Sequence, residues 1–376
     1  MVSYWEKESF LSYDYIIVGS GIVGLSTAIS LKEASPKSSV LVLERGLLPT
    51  GASTKNAGFA CFGSLTELIN DLNTIGKEGT LDLVNERWEG LKKLRSRIGD
   101  ENFDFYNYGG YELIREKELP YLERIDEVND LLADLFDDKV YELQKSKIQD
   151  FQFNANEIQN MIFNQYEGQI HTGKMMKSLL SIAQNLGITV LTGAEVVSLD
   201  NDNSKVTVTA KNLVTNKDLQ FSAGKVAVCT NAFTNKIIND LDIAPGRGIV
   251  MITKPIDNLP FKGVFHIDEG YYYFRNVDDR ILFGGGRNLD FEGETTTEFT
   301  INERILEELK RQLKEVIIPN KTFEVEHCWA GIMAFGQNKV PIFKEHTKNI
   351  HLGVRLGGMG VAIGSRMGEK LAQNML

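Results

Sequence analysis

The chain has 376 residues and 42% apolar composition, enough to bury a large core and fill two or three domains. Its formal net charge of −10 argues against nucleic acid or an anionic membrane surface as a partner. Cys61, Cys229 and Cys328 are too few and too scattered for a disulfide framework or a CxxC metal site, the N-terminus MVSYWEKESF lacks a signal-peptide pattern, and no long apolar run occurs, so a cytoplasmic protein with no integral membrane segment is expected.

Tyr15 to Val18 is a short apolar run, as a parallel strand buried on both faces requires. It ends in Gly19-Ser20-Gly21-Ile22-Val23-Gly24, a GxGxxG, and Leu25, Ala28 and Ile29 continue from Ile22 at helical spacing. The glycines therefore sit between a strand and a helix N-terminus, where N–H groups and the positive dipole end favour a diphosphate. Val40 to Leu43 make a second strand, and Glu44 stands at its end beside Arg45, placed to accept hydrogen bonds from ribose hydroxyls. This predicts a dinucleotide site and leaves FAD and NAD open, because both carry the same ADP half.

Pro49 to Gly63 (PTGASTKNAGFACFG) reads either as a connector or as a loop whose small residues let backbone lie against a flat ligand. In the second case Ser53, Thr54 and Asn56 offer hydrogen bonds, and Ala57 and Gly58 close approach. From Ser64 to Gln149 the pattern turns helical: Leu65, Leu68, Ile69 and Leu72 share one face, Leu83, Trp88, Leu91 and Leu94 another, and a third helix is expected from about Tyr121 to Phe136. Asn107 to Ile114 reads as a turn entering a strand. Gly168 to Thr192 restores helix-then-strand order, with His171 read as a hydrogen-bonded structural histidine. Lys205 to Ala210 and Leu219 to Phe221 read as hairpin strands separated by Asn212 to Lys217.

From Pro245 to Glu326 strands joined by short connections predict an antiparallel sheet. In Gly270-Tyr271-Tyr272-Tyr273-Phe274-Arg275, Tyr271 and Tyr273 point one way and Tyr272 and Phe274 the other, so one pair is core and the opposite pair is free to line a cavity. Gly284 to Gly286 reads as a bend or a close backbone approach. At the end, Asn349 to Val354 is a strand, Arg355 to Gly360 a glycine-rich turn, and Val361 to Asn374 a helix, so Gly357, Gly358, Met359 and Gly360 bring N–H donors to a helix N-terminus.

The head MVSYWEKESFLSYDYIIVGSGIVGLSTA with GASTKNAGF, the segment His171 to Lys174 followed by Gly187 to Val190, the segment Val226 to Phe233, and the tail from Trp329 through Gly331 and Pro341 to Gly360 together resemble the D-amino-acid oxidase superfamily of FAD-dependent amine and amino-acid oxidases. The resemblance implies an α/β (α+β overall) fold: a discontinuous Rossmann-like FAD-binding domain at about 1–75, 160–235 and 327–376, and an antiparallel-sheet substrate domain at 76–159 and 236–326. It implies non-covalent FAD, with Val196, Thr230, Asn231 and Gly331 added to the cofactor residues, and no metal. It also implies hydride transfer from the carbon bearing a neutral amine to flavin N5, hydrolysis of the imine, and reduction of oxygen to hydrogen peroxide.

Two departures from the family pattern bear on the substrate. Where relatives place a carboxylate-binding arginine after Trp-x-Gly, this chain reads Gly331-Ile332-Met333-Ala334-Phe335-Gly336, so Arg275, Arg287 or Arg355 takes that task or the substrate lacks an α-carboxylate. The apolar replacement and the tyrosine run tilt the reading toward a secondary amine, polyamine derivative or other alkyl amine, with Tyr271, Tyr273, Arg275 and Arg355 as pocket candidates. The lysine that sarcosine-type relatives use for oxygen falls near Leu282, which keeps open an amine dehydrogenase with a quinone or carrier acceptor. A flavin-binding redox sensor without turnover and an NAD-dependent dehydrogenase complete the alternatives.

Overall fold

The computed structural model describes residues 2–212 and 217–376. Residues 213–216, within the expected Asn212 to Lys217 turn, lie outside the described ones. The Ser12–Val18 strand sits at the centre of the first sheet, parallel to Val40–Glu44 on one side and Leu219–Val228 on the other. Thr189–Thr192 and Ile350–Val354 extend it in parallel, and Ile342–Thr347 closes one edge antiparallel. Alternation along the central strand explains the order. Ile17 packs with Val40, Val42 and Ala227 against the Ile22–Ala34, Thr172–Asn185 and Gly360–Met375 helices, while Ile16 and Val18 pack on the opposite face with Phe221 and with Val206 and Val208 of the Val206–Ala210 strand, which pairs antiparallel to Leu219–Val228. Both faces are covered, as apolar parallel strands require.

The second sheet runs Val325–Phe335, Ala244–Thr253, Arg280–Gly285, Tyr272–Val277, Val264–Ile267, Gly110–Ile114, Asn160–Asn164, Tyr141–Leu143. It is antiparallel as expected, apart from Val264–Ile267, which pairs parallel with Gly110–Ile114. One face packs Phe265, Phe274 and Phe283 against the Glu303–Gln312 helix and the π-helical turn after it. Asn160–Asn164 and Val325–Phe335 belong to this sheet, so the expected boundaries near 160 and 327 fall at strands whose partners lie in the second sheet.

The two apolar stripes between Leu65 and Leu94 are the halves of one Leu65–Ile98 helix broken at Gly76 (φ 74°, ψ 178°), a backbone that glycine reaches at little cost. The helix expected from Tyr121 to Phe136 is instead a 3₁₀ stretch, Glu116–Arg124, followed by a helix of only Ile125–Leu132; Pro120 lies inside the first part and removes an N–H donor there. His171 is the N-cap of Thr172–Asn185, its Nδ1 accepting from Lys174 N at 3.2 Å.

Candidate active site

Gly19 turns out of the central strand at φ +103°. A Cβ on Gly24 would lie 1.9 Å from the Gly19 carbonyl oxygen, so only glycine lets this helix rest on this turn. The Ile22–Ala34 helix starts at Gly21 with no side-chain cap of its own; instead Ser53, from the small-residue loop, accepts from Ile22 N at 3.0 Å. Glu44 ends its strand buried, with one oxygen accepting from Ser20 N (3.0 Å) and Oγ (2.8 Å) and the other from Gly46 N (3.1 Å).

Along this edge runs a cavity of about 840 Å³. Of the cofactor candidates, Gly19, Gly21, Ile22, Val23, Glu44, Arg45, Ser53, Asn56, Ala57, Val196, Thr230, Asn231, Gly331, Gly357, Gly358, Met359 and Gly360 line it. Ser20, Gly24, Thr54 and Gly58 do not. Ser20 is turned onto Glu44, Gly24 onto Gly19, and the Thr54 hydroxyl onto Pro49 O at 2.7 Å. Gly58 (φ +75°) leaves room for Ile170 O and Arg275 Nη2. Asn231 Oδ1 accepts from Arg355 N and Leu356 N at 3.0 and 3.4 Å, tying its turn to the glycine-rich segment, and Arg45 stacks 3.6 Å from the Phe233 ring centroid.

The tyrosine alternation holds. Tyr272 and Phe274 are core residues, while Tyr271 and Tyr273 line the cavity. The glycine run is a close approach: a Cβ on Gly284 would lie 2.6 Å from the Tyr273 ring. Burial pushes the Tyr273 hydroxyl up to about 12, so it stays a neutral donor or acceptor.

Arg275, a substrate candidate from the sequence, lies outside the cavity. Its guanidinium donates to Ala57 O (2.5 Å), Ile170 O (3.0 Å) and Asn276 O (3.1 Å), pinning the small-residue loop to the second sheet, and burial lowers it to about 10. Arg355 lines the cavity, but its guanidinium is spent on Asp242, Asn338 Oδ1 (3.0 Å) and Val340 O (2.6 Å). Arg287 differs. Half-buried on the cavity wall, it stacks on Phe335 at 4.2 Å and Phe291 at 5.0 Å, and its buried Nε has no hydrogen-bond partner among the described residues. Burial lowers its pKa, an excess cost that an anion beside it would offset.

A family model described as FAD dependent oxidoreductase (DAO) matches residues 14–374. The chain belongs to the DAO family. Two relatives are similar to this DAO-family chain over 96% of its length and 83% of theirs: a probable oxidoreductase OrdL of Haemophilus influenzae (22% identical) and a gamma-glutamylputrescine oxidoreductase of Escherichia coli (24%). Among solved structures, glycine oxidase from Geobacillus kaustophilus has a TM-score of 0.77 at 17% identity, covering 97% of this chain and 95% of that one. L-proline dehydrogenase from P. horikoshii has 0.76 at 17%, covering 96% and 93%. At such identities the structures show a shared fold.

The residues present fit FAD. The Ile22–Ala34 and Gly360–Met375 helices both begin on the cavity with no cap from their own N-cap side chains; Ser53 takes only Ile22 N, so other leading N–H groups and the positive dipole ends are available to a diphosphate and to an electron-rich ring edge. A Cβ on Gly21 would meet Ser53 Oγ at 2.9 Å, and Gly357 and Gly358 hold positive φ beside the second helix start.

Several cavity residues carry no signal in sequence. Cys61, Glu67, His266 and Glu269 come from the loop before the long helix, from that helix, and from the second sheet and its turns. Behind them sits Glu167, and the donor atoms of Cys61, Glu167 and His266 lie within 4.8 Å of one another. Each is at least 99 residues from the next, so only the fold gathers them; solitary histidines and carboxylates in the sequence give no warning.

Proposed function

We propose that the chain binds FAD non-covalently along this cavity and oxidises the C–N bond of a small amine that bears a carboxylate. The first sheet with its helices serves as the FAD domain and the second sheet as the substrate domain. Gly19, Gly21 to Val23, Glu44, Ser53, Asn56 and Val196 hold the ADP half, and Thr230, Asn231, Gly331 and Gly357 to Gly360 hold the flavin half. FAD, when bound, accepts the hydride. The observation that carries the substrate class is Arg287: a guanidinium on the cavity wall, stacked against two rings and, among the described residues, in no ion pair with a carboxylate; the nearby Glu294 is taken by Arg247. Its planar fork matches a carboxylate, which turns the reading away from an amine without one.

Tyr271 and Tyr273 wall the cavity beside Arg287 and exclude water from the reacting carbon. The substrate carbon loses hydride, its nitrogen forms the imine, and the imine hydrolyses after release. Dioxygen takes the electrons and becomes hydrogen peroxide. Leu282, packed with Ala57 and Tyr273 at the cavity edge, supports a second reading in which the acceptor is a quinone or carrier. The names of the relatives support amines and amino acids as the class. Turnover with amine panels in an oxygen electrode tests the proposal: activity restricted to carboxylate-bearing amines supports it, and equal activity with amines lacking any carboxylate overturns the assignment of Arg287. Peroxide formed in proportion to oxygen consumed assigns dioxygen as acceptor; activity only with an added quinone assigns the second reading.

A further inference from the structure

We propose that His266, oriented by Glu167, is the base that takes the proton from the substrate's ammonium group before hydride leaves. This rests on the function proposed above. His266 stands on the Val264–Ile267 strand, 5% exposed, and with Cys61 forms part of the cavity wall. Its Nε2 lies 3.3 Å from Glu167 Oε2; that carboxylate is 1% exposed, and its other oxygen makes no geometric hydrogen bond among the described residues. Phe59 meets the imidazole edge-on at 5.3 Å and meets Tyr273, the cross-strand neighbour of His266, at 5.7 Å. The ring is thus fixed, with a carboxylate behind it and the cavity in front. A buried ion pair is weak support for a fold, so its placement on a cavity wall points to chemistry.

An amine arrives protonated, with a pKa of about 10, and an ammonium nitrogen has no lone pair with which to form C=N. The proton passes to the imidazole, the C–H bond breaks with its electron pair leaving as hydride, and the freed nitrogen lone pair becomes the new C=N bond. Charge balances: the proton carries +1 to His266, and the neutral amine that loses hydride becomes an iminium of +1. Glu167 is the positioning residue, since its hydrogen bond fixes the ring and stabilises the imidazolium.

The groups around the ring favour that charge. Glu112 is its neighbour on the parallel strand, Tyr273 on the antiparallel one, Cys61 and Glu167 face it from loops, and Glu67 from the long helix acts on both of these. Burial alone would lower the imidazole, but hydrogen bonds with Cys61 and Glu167 and the Glu167 charge outweigh it and hold His266 well above its ordinary value. The basic form is therefore present on the alkaline side, and the reductive step rises with pH.

The test is anaerobic reduction of the flavin-loaded enzyme by a bleaching amine between about pH 6 and 10. For wild type, reduction should rise to a plateau through an apparent pKa above that of ordinary histidine. H266Q should lower the plateau about 10²–10³-fold and abolish the rise. E167Q should retain a rise displaced to lower pH, because the anion that raised the imidazole is gone, with about a tenfold loss. Independently of turnover, histidine side-chain NMR, with the resonance assigned by its loss in H266Q, should show His266 titrating above its ordinary value in wild type and lower in E167Q. A wild-type rate and pH profile in H266Q overturns the proposal, as does an imidazole titrating at or below its ordinary value. If no amine bleaches wild type, the function falls and this role with it; if wild type bleaches and H266Q does so equally, the function stands and only the base is wrong.

Discussion

At one end of the cavity the working groups are backbone: the leading N–H groups of two helix starts, Gly21 and Gly331 without side chains, and Gly357 and Gly358 at positive φ. At the other end they are side chains: Tyr271, Tyr273, Arg287, and the His266–Glu167 pair. The first end presents what every dinucleotide needs and tolerates almost no added atom. The second is a set of charges and rings on strands and turns, where one substitution changes selectivity without touching the frame. A family can therefore keep one cofactor while varying its substrates.

That contrast predicts a graded response to mutation. G24V should be the most damaging, because a Cβ 1.9 Å from the Gly19 carbonyl forces helix and turn apart; a loss of roughly 4 kcal/mol or more is expected, read as loss of soluble protein or of bound flavin. At the substrate end, Glu112 is buried with a carboxyl raised to about 7, chiefly by desolvation and only partly offset by its Thr66 hydrogen bond. Its folded pKa exceeds the ordinary 4.5, so stability is fullest below that value, falls as pH rises from there to about 7, and is level above. E112Q should raise the melting temperature at about pH 8, by up to about 3 kcal/mol of stability, and change little at about pH 5.

R287M should raise KM for a carboxylate-bearing substrate about thirtyfold, as expected for losing a charge-assisted hydrogen bond worth about 2 kcal/mol, with flavin content intact. An effect on flavin content equal to that on KM would break the division between the two ends. S53A should be mildest. It removes one acceptor from Ile22 N, costing about 1 kcal/mol, seen as a small rise in the Kd for FAD.

The same contrast explains what could be read in advance. Gly19 to Gly24, Glu44 and the turn before the last helix are contiguous, so their spacing alone exposes the nucleotide edge. The Tyr271/Tyr273 alternation was legible because a strand has period two. Arg275 misled because a strand arginine beside a candidate pocket gives no hint that Ala57 O and Ile170 O will claim it. Cys61, Glu167 and His266 were invisible because their proximity is created by the pairing of Val264–Ile267 with Gly110–Ile114 and by the turn after Asn164, contacts that leave no local pattern. The 3₁₀ stretch over Glu116–Arg124 escaped a periodicity argument, since Pro120 changes the hydrogen bonding without breaking the apolar spacing.

The most direct test of the central claim is an absorbance spectrum of the purified protein followed by anaerobic titration with amines with and without a carboxylate. Flavin bands that bleach with a carboxylate-bearing amine, and not with its decarboxylated counterpart, are the predicted result; flavin bands that no amine or amino acid bleaches would contradict it.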